Sequence, residues 1–229
     1  MIAIWSVLGL VILIFVVPFY ALKELGIGIL QRASTTTKAI GLTFDDGPDP
    51  TYTPRVLELL AQYGVKATFF VIGERVEAHP DLVRRIALEG HELASHSYTH
   101  RNALFERRPL QGWFDTRLGI HKLEKLLGKR TRWFRAPFGI YSWSVLAAIH
   151  RSRLVAVNWS IESRDWHPAF TPADVKARVL SAAHSGGIIV MHDGGRGGAK
   201  TIHALEGVLQ GLAERGFMPG PLSALELRS

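Results

Sequence analysis

From about Lys38 onward the chain alternates short apolar segments with segments of helical periodicity, and this alternation constrains its fold more than any other feature. The apolar segments predict strands at 39–44, 67–72, 91–95, 132–134, 154–159 and 187–191. The periodic segments predict helices at 54–63, 80–89, 111–127, 172–184 and 201–215. Because each helix returns the chain to a parallel neighbouring strand, the pattern predicts an α/β fold, a small (β/α) barrel of about seven parallel strands rather than an open sheet.

Residues at the helix ends support these boundaries. Thr53 and Thr171 each stand before a proline, where a threonine hydroxyl can cap the first helical turn. Glycines that suit a left-handed position after a helix follow the helical segments at Gly64, Gly90, Gly128 and Gly216.

The composition limits the class of protein. With 229 residues, of which 47% are hydrophobic and 21% charged, the chain suits a globular domain and excludes a disordered chain, a coiled coil or a disulfide miniprotein. It has no cysteine, so any metal must be bound by His, Asp or Glu. The net charge of +7 is scattered and forms no nucleic-acid-binding motif, so we expect no nucleic-acid partner. A basic surface suits an anionic polymer or a membrane face.

The N-terminal segment differs from the rest. Residues 2–22 are apolar and long enough to cross about 30 Å of hydrocarbon as a helix. We therefore interpret 1–22 as a transmembrane anchor, 23–37 as a linker and 38–229 as the folded domain. The alternative is a cleaved signal peptide, but the apolar segment is long and no positive region precedes it.

Polar residues follow the predicted strands, at Asp45 with Asp46, His96 with His100, Arg135, Asp165 with Trp166, and His192 with Asp193. Because the C-terminal ends of parallel strands share one face of a barrel, we expect these clusters to converge on one site although they are far apart in sequence.

Two histidines and a carboxylate among these residues could bind a metal ion. His96 and His100 are four residues apart, a spacing that places both imidazoles on one side of a helical turn. With a carboxylate from Asp45 or Asp46 they would form a two-His-one-carboxylate site suited to Zn²⁺ or a similar ion. Alone, each motif has a plainer interpretation: two surface histidines, and an Asp-Asp-Gly-Pro turn.

His192 and Arg135 have positions that suit acid–base chemistry. His192 ends an apolar strand where the chain becomes exposed, so it can donate or accept a proton, and a nearby carboxylate would hold it protonated. Arg135 suits an ion pair with a carboxylate that must stay ionised in a partly dry pocket. We interpret the other histidines as surface or structural residues.

Five motifs in this order resemble those of the polysaccharide deacetylases with a NodB-homology domain, carbohydrate esterase family 4. The resemblance covers about residues 38–228 and rests on Thr43-Phe44-Asp45-Asp46-Gly47-Pro48, His96-Ser97-Tyr98-Thr99-His100, Arg135-Ala136-Pro137-Phe138-Gly139, Asp165-Trp166 and Ile189-Val190-Met191-His192.

The resemblance implies a distorted (β/α) barrel and a divalent metal ion bound by Asp46, His96 and His100. Zinc is the commonest such ion, with Co²⁺, Ni²⁺ and Mn²⁺ as alternatives. It also implies a hydrolase that removes N-acetyl groups from amino sugars of a polysaccharide such as peptidoglycan or a chitin-like polymer, and releases acetate. An O-acetyl esterase, a non-sugar amidase and a non-catalytic, membrane-tethered glycan-binding protein remain the alternatives.

The remaining roles follow from the same resemblance. Asp45 is the expected general base and His192 the general acid, while Arg135 steadies Asp45 and Asp165 tunes His192. The residues expected to contact substrate are Pro137, Phe138, Gly139, Tyr141 and Trp166. We also expect a backbone N–H between 139 and 141 to bind the oxyanion of the tetrahedral intermediate.

Departures from the family pattern concern substrate preference. Phe138 stands where tyrosine is frequent, and Asn158 and Glu162 stand where aspartates often occur.

The expected location follows from the substrate. A wall polymer requires a domain outside the cytoplasmic membrane. We expect a single-pass membrane protein that is monomeric. Lys23, Arg32 and Lys38 follow the apolar segment and favour the opposite topology, but these few residues weigh less than the substrate.

Overall fold

The computed structural model describes residues 28–101 and 110–226. The strands of this part of the chain are β1 (Ile29–Leu30), β2 (Ala39–Asp45), β3 (Thr68–Val71), β4 (Glu92–Ser95), β5 (Trp133–Phe134), β6 (Val155–Val157), β7 (Ile161–Glu162), β8 (Ile188–His192) and β9 (Met218–Gly220). Its α-helices are α1 (Thr53–Gln62), α2 (Gly73–Ala78), α3 (Pro80–Leu88), α4 (Gln111–Leu127), α5 (Trp143–Ser152), α6 (Pro172–Ala182), α7 (Gly198–Glu214) and α8 (Leu222–Glu226), and a 3₁₀ turn covers Pro137–Gly139.

The strands form one parallel sheet, in the order β1-β6-β5-β4-β3-β2-β8-β7, and β9 pairs with the first residues of β2. β6 and β7 lie near opposite ends of this order, yet only residues 158–160 separate them. Since an extended chain covers about 3.5 Å per residue, the sheet must curl until its two ends approach each other. The predicted parallel α/β fold is therefore confirmed, and the curl is consistent with a distorted barrel. The described part of the chain has nine strands instead of the predicted number of about seven.

The central strands of this curled sheet are buried on both faces. Every residue of β2 is buried, and so is every residue of β3, as expected for central parallel strands with both faces covered. Phe44 of β2 and Phe69 of β3 stack with ring centroids 5.1 Å apart. The strand ends are thereby fixed in position, and the polar residues that follow them inherit that rigidity.

The longer predicted elements are confirmed, and the differences concern short ones. The sequence analysis missed β1, β7, β9, α2, α5 and α8. β1 pairs with β6 and lies inside the segment interpreted as a linker, so this part of the segment belongs to the sheet.

One of the two predicted threonine caps is wrong. Thr171 caps α6 and forms a reciprocal capping box with Asp174. Thr53 instead is the first residue of α1, and its hydroxyl donates to Asp193 Oδ2 at 2.6 Å. The predicted glycines all have a positive φ, between 62° and 82°, as left-handed positions after helices require.

The predicted anchor at 1–22 lies outside the described residues. Among the residues that the structure describes, no helix combines the length and apolar character needed to span a membrane.

Candidate active site

The C-terminal strand ends surround a cavity of about 830 Å³. Of the residues assigned to chemistry, the structure places Asp45, Asp46, His96, His100 and His192 in its wall. Arg135 and Asp165 are fully buried behind this wall and contact Asp45 and His192. The structure thus brings together clusters from β2, β4, β5, β7 and β8, as the parallel topology requires.

Asp46, His96 and His100 have a geometry that suits one metal ion. His100 Nε2 lies 3.0 Å and His96 Nε2 lies 3.5 Å from Asp46 Oδ1. One ligand atom from each residue lies within 4.8 Å of the other two. Ligand atoms about 2.1 Å from a tetrahedral Zn²⁺ would be about 3.4 Å apart, close to these separations.

The buried oxygen of this triad supports the fit. Asp46 Oδ1 is buried and has no partner with hydrogen-bond geometry. Burial raises the pKa of Asp46, but its contacts with His100 and His96 outweigh that effect and hold the pKa well below its ordinary value. An anionic oxygen between two imidazole nitrogens is a donor set that Zn²⁺ or a similar divalent ion prefers.

The two histidines do not lie on a helix, so the predicted local geometry is wrong. His96 follows β4, and His100 ends a loop in which Ser97 and His100 both have positive φ values, 66° and 57°. Asp115 of α4 holds this loop by accepting hydrogen bonds from the Tyr98 and Thr99 N–H groups at 3.3 and 3.1 Å. The loop, rather than helical periodicity, brings the imidazoles together.

The orientation of His96 is fixed by its other ring nitrogen. Nδ1 lies 2.8 Å from the Arg135 carbonyl oxygen, to which an Nδ1–H donates, and Nε2 is left to face Asp46. Metal-binding histidines commonly use one nitrogen in this way, which fixes the tautomer and makes the second nitrogen a better ligand.

Arg135 holds Asp45 from behind the cavity. Its Nη1 donates to Asp45 Oδ1 at 2.6 Å and to Thr43 Oγ1 at 2.8 Å, and its Nη2 donates to the Asn158 carbonyl at 3.1 Å. The guanidinium carbon also lies 4.1 Å from the ring centroid of Phe70. The arginine is completely buried, so Asp45 has a fixed, charged partner in a dry environment.

His192 and Asp165 form a second ion pair. His192 Nδ1 lies 2.6 Å from Asp165 Oδ1, while Asp165 Oδ2 accepts from the His192 N–H and from Thr201 Oγ1. Burial lowers the pKa of His192, but the charge and hydrogen bond of Asp165 outweigh it and raise this pKa to about 10. Burial raises the pKa of Asp165, and the charge of His192 lowers it to a net value below the ordinary one. The imidazole is therefore protonated at neutral pH.

The residues assigned to substrate contact divide into two groups. Phe138 and Trp166 line the cavity and are half exposed. Pro137 and Gly139 are buried in the turn beside Phe138, and Tyr141 is buried below it, where its hydroxyl donates to the Val157 carbonyl at 2.9 Å. The Tyr141 side chain is thus part of the support of the site and does not line the cavity.

The expected oxyanion donors are also corrected in part. The Gly139 N–H donates to the Ala136 carbonyl at 2.9 Å, and the Ile140 N–H donates to the Pro137 carbonyl at 3.1 Å. These two groups are already used by the turn.

The sequence analysis assigns no role in the site to several other residues of the cavity wall, although Thr99 and Val190 lie within the motifs and Glu162 is a departure from the family pattern. The residues concerned are Ile72, Glu74, Arg75, Thr99, Trp159, Glu162, Val190, Gly195 and Arg196. Trp159 could have been found, because it follows β6 and is aromatic, whereas Glu74 and Arg75 stand on the missed helix α2. No sequence pattern distinguishes them from ordinary surface residues.

Known proteins of similar sequence have related names. A family model described as Polysaccharide deacetylase matches residues 32–157. The chain is 36% identical over 205 residues to a chitooligosaccharide deacetylase of Sinorhizobium fredii, covering 82% of this chain and 92% of that protein. It is 38% identical over 192 residues to a peptidoglycan-N-acetylglucosamine deacetylase of Bacillus cereus, covering 79% and 84%.

The fold of this chain is also similar to solved structures of proteins with such names. A peptidoglycan N-acetylglucosamine deacetylase in complex with 4-naphthalen-1-yl-N-oxidanyl-benzamide has a TM-score of 0.81 and 28% identity, covering 93% of this chain and 98% of that one. A pseudoenzyme of the CE4 family from Bacillus anthracis has a TM-score of 0.77 and 27% identity, covering 85% and 67%. On the family match and the relatives together, this chain belongs to the polysaccharide deacetylase family.

Proposed function

We propose that the protein is a metal-dependent deacetylase that hydrolyses the N-acetyl groups of amino sugars in a polysaccharide and releases acetate. The polymer is of the peptidoglycan or chitin type, as the names of the relatives suggest. The observation that carries the proposal is the arrangement of Asp45 and His192 around the Asp46, His96 and His100 triad in one cavity.

Asp46, His96 and His100 would hold the metal ion, and Zn²⁺ suits their donor atoms best. When bound, such an ion supplies Lewis-acid chemistry, activating a water molecule and polarising the acetamide carbonyl. Three protein ligands are the usual number in catalytic zinc sites, and such a set would leave room for water and substrate.

Asp45 is the residue placed to take the proton of the attacking water. Oδ1 is held by Arg135 at 2.6 Å, while Oδ2 lies 3.9 Å from His96 Nε2 and so faces the triad. The buried guanidinium limits the rotation of the carboxylate. Loss of a proton from water creates the nucleophile that forms the new C–O bond to the acetyl carbon.

His192 is the residue placed to protonate the departing nitrogen. Asp165 occupies its Nδ1, so Nε2 is the nitrogen available to the cavity. Breaking the C–N bond of an amide requires a proton on the leaving amine, and a protonated imidazole supplies it. Water and the acetamide thereby give acetate and a free sugar amine.

Aromatic side chains shape the entrance for a sugar ring. Phe138, Trp159 and Trp166 line the cavity, and Phe138 packs against His100 with centroids 4.9 Å apart. Apolar walls with a few polar groups are typical of sites that position small ligands and sugar units.

The test is acetate release from N-acetylglucosamine oligomers, peptidoglycan and acetylated xylan. We expect release from the first two, loss of metal binding and turnover in Asp46→Ala and His96→Ala, and loss of turnover with retained metal in Asp45→Asn. Chelator treatment followed by addition of Zn²⁺, Co²⁺, Ni²⁺ or Mn²⁺ identifies the ion. Full activity of Asp46→Ala after removal of metal would contradict the assignment.

The same assay separates the alternatives. Release from xylan alone would identify an O-acetyl esterase, and release only from small non-sugar amides would identify an amidase. Binding of glycan without release from any substrate would identify a non-catalytic glycan-binding protein.

We also propose that the domain lies outside the cytoplasmic membrane as a monomer, held by the apolar segment 2–22, because the proposed polymer lies there. A reporter fused after Ser229 tests the topology, and a cytoplasmic signal would refute it.

A further inference from the structure

The loop after β8 carries one long side chain at the cavity. Gly194, Gly195, Gly197 and Gly198 surround Arg196, and a Cβ at any of them would lie 3.1 Å or less from a neighbouring atom. The backbone of this loop is therefore tightly packed against its surroundings. Arg196 itself is exposed and lines the cavity wall.

Arg196 lies close to the reacting centre. A Cβ at Gly195 would be 3.1 Å from Asp46 Oδ2, and one at Gly197 would be 2.7 Å from the Cβ of His192. The loop thus contacts both Asp46 and His192, and Arg196 stands between these two contacts in the sequence.

A second guanidinium lies at the same edge. Arg75 Nη1 is 2.6 Å from the Cβ position of Gly194 and 3.4 Å from Asp49 Oδ2. Asp49 balances the charge of Arg75. The residues that the structure describes offer Arg196 no such ion-pair partner.

Within the described residues, no acidic group of the cavity wall forms an ion pair with Arg196. Asp46 contacts His96 and His100. Asp45 pairs with Arg135, and Glu162 pairs with Arg164 at 3.3 Å. Glu74 also lines the cavity, and it has no ion-pair partner in the described part of the chain. The Arg196 guanidinium is therefore available to an anionic ligand at the β8 edge.

We propose that Arg196 determines specificity by binding a carboxylate on the sugar that neighbours the acetylated one. The inference rests on the proposed function and narrows its substrate to a glycan that carries carboxylates beside its N-acetylated sugars. A guanidinium matches the planar carboxylate with two parallel hydrogen bonds, which gives geometric selection as well as attraction. A chitin-like polymer of neutral sugars offers no such group.

The test uses two substrates that differ only in this charge. One is a peptide-free glycan of alternating N-acetylglucosamine and carboxylate-bearing N-acetylated sugar, and the other is the same glycan with its carboxylates converted to methyl amides. We expect the kcat/KM of the wild-type protein to be about tenfold higher on the charged glycan, the size of one charge-assisted contact.

Variants assign the preference to one residue. Arg196→Gln should bring the ratio of the two kcat/KM values close to one, and Arg196→Lys should leave an intermediate ratio, because an ammonium lacks the two-pronged geometry. Arg151→Gln, an exposed arginine on α5, is the matched control and should keep the wild-type ratio. The wild-type ratio should also fall as NaCl is raised from about 0.05 to 0.5 M.

The outcomes separate this inference from the proposed function. Equal rates of the wild-type protein on both glycans, or an unchanged ratio in Arg196→Gln, would overturn the role of Arg196 and leave the deacetylase proposal intact. Absence of acetate release from both glycans and from N-acetylglucosamine oligomers would instead refute the deacetylase proposal itself.

Discussion

At the scale of single residues, Asp165 raises the pKa of His192, the proposed general acid. A histidine that donates a proton is active below its pKa and inactive above it, so the raised pKa of His192 keeps activity up to alkaline pH. In Asp165→Asn the charge that raises this pKa is lost. We expect the alkaline limb of the kcat profile to move to lower pH by at least about one unit.

The pH dependence of kcat and an NMR titration of His192 measure this shift. Glu58→Gln, an exposed carboxylate on α1, is the control and should leave the profile in place. An unmoved alkaline limb in Asp165→Asn would mean that His192 does not donate the proton.

Arg135 is the residue whose charge cannot be replaced by another cation. Its guanidinium reaches Asp45, Thr43 and the Asn158 carbonyl together, and an ammonium at one point cannot do so. We expect Arg135→Lys to lower kcat at least about a hundredfold, and Arg135→Met to cost about 3–5 kcal/mol of unfolding free energy because it leaves Asp45 buried and unpaired. Urea unfolding and acetate release measure both effects. Wild-type activity in Arg135→Lys would show that only the charge matters.

At the scale of elements, sequence periodicity predicts the long helices and does not detect the shortest strands. Helices α4 and α6 repeat their apolar face over several turns, so their ranges could be derived. β1 and β7 have two residues each and show no period. Thr53 is of a residue type that often caps helices, but its hydroxyl donates instead to the buried carboxylate of Asp193, which is far away in the sequence.

The loop that carries His100 depends on the helix beneath it. A Cβ at Gly119 of α4 would lie 2.4 Å from the carbonyl carbon and oxygen of Ser97. These are backbone atoms, so a change of side-chain rotamer cannot relieve the clash. Alanine favours a helix over glycine by about 1 kcal/mol, yet we expect Gly119→Ala to destabilise the fold and to weaken metal binding about tenfold or more, because the loop must move.

Gly207→Ala on α7 is the matched control. Its Cβ would meet only the flexible end of Lys176, at 2.9 Å, so helix propensity should dominate and the free energy of unfolding should stay equal or rise. Thermal unfolding and metal competition titrations on both variants decide the matter. Equal metal affinity in Gly119→Ala and the wild-type protein would show that the loop does not depend on this contact.

At the scale of the whole molecule, the convergence of the site could be derived while its geometry could not. Parallel strands place Asp45, His96, Arg135 and His192 at one face whatever their separation in sequence. The positive φ of His100 and the position of Arg196 depend on loop packing, which no periodicity encodes. Topology therefore predicts which residues meet, and packing decides how they meet.

The pairing of β1 bears on the N-terminal boundary of the domain. The sequence places the start of the domain near Lys38, whereas β1 pairs with β6 and the buried Ile29 lies in that strand. The Ala33 N–H also donates to the Gly186 carbonyl at 2.8 Å, beside the start of β8. Residues before Lys38 therefore cover the edge of the curled sheet and join its two ends.

We expect a chain that begins at Gly28 to be more stable than one that begins at Lys38, by about 2 kcal/mol or more. Burial of one isoleucine side chain contributes about 1.5–3 kcal/mol, and the lost ladder to β6 adds to the difference. Urea unfolding of the two chains measures it, with acetate release as the test of an intact site. Equal urea midpoints and slopes for the two chains would place the N-terminal boundary of the domain at Lys38. They would show that β1 does not contribute to the free energy of unfolding.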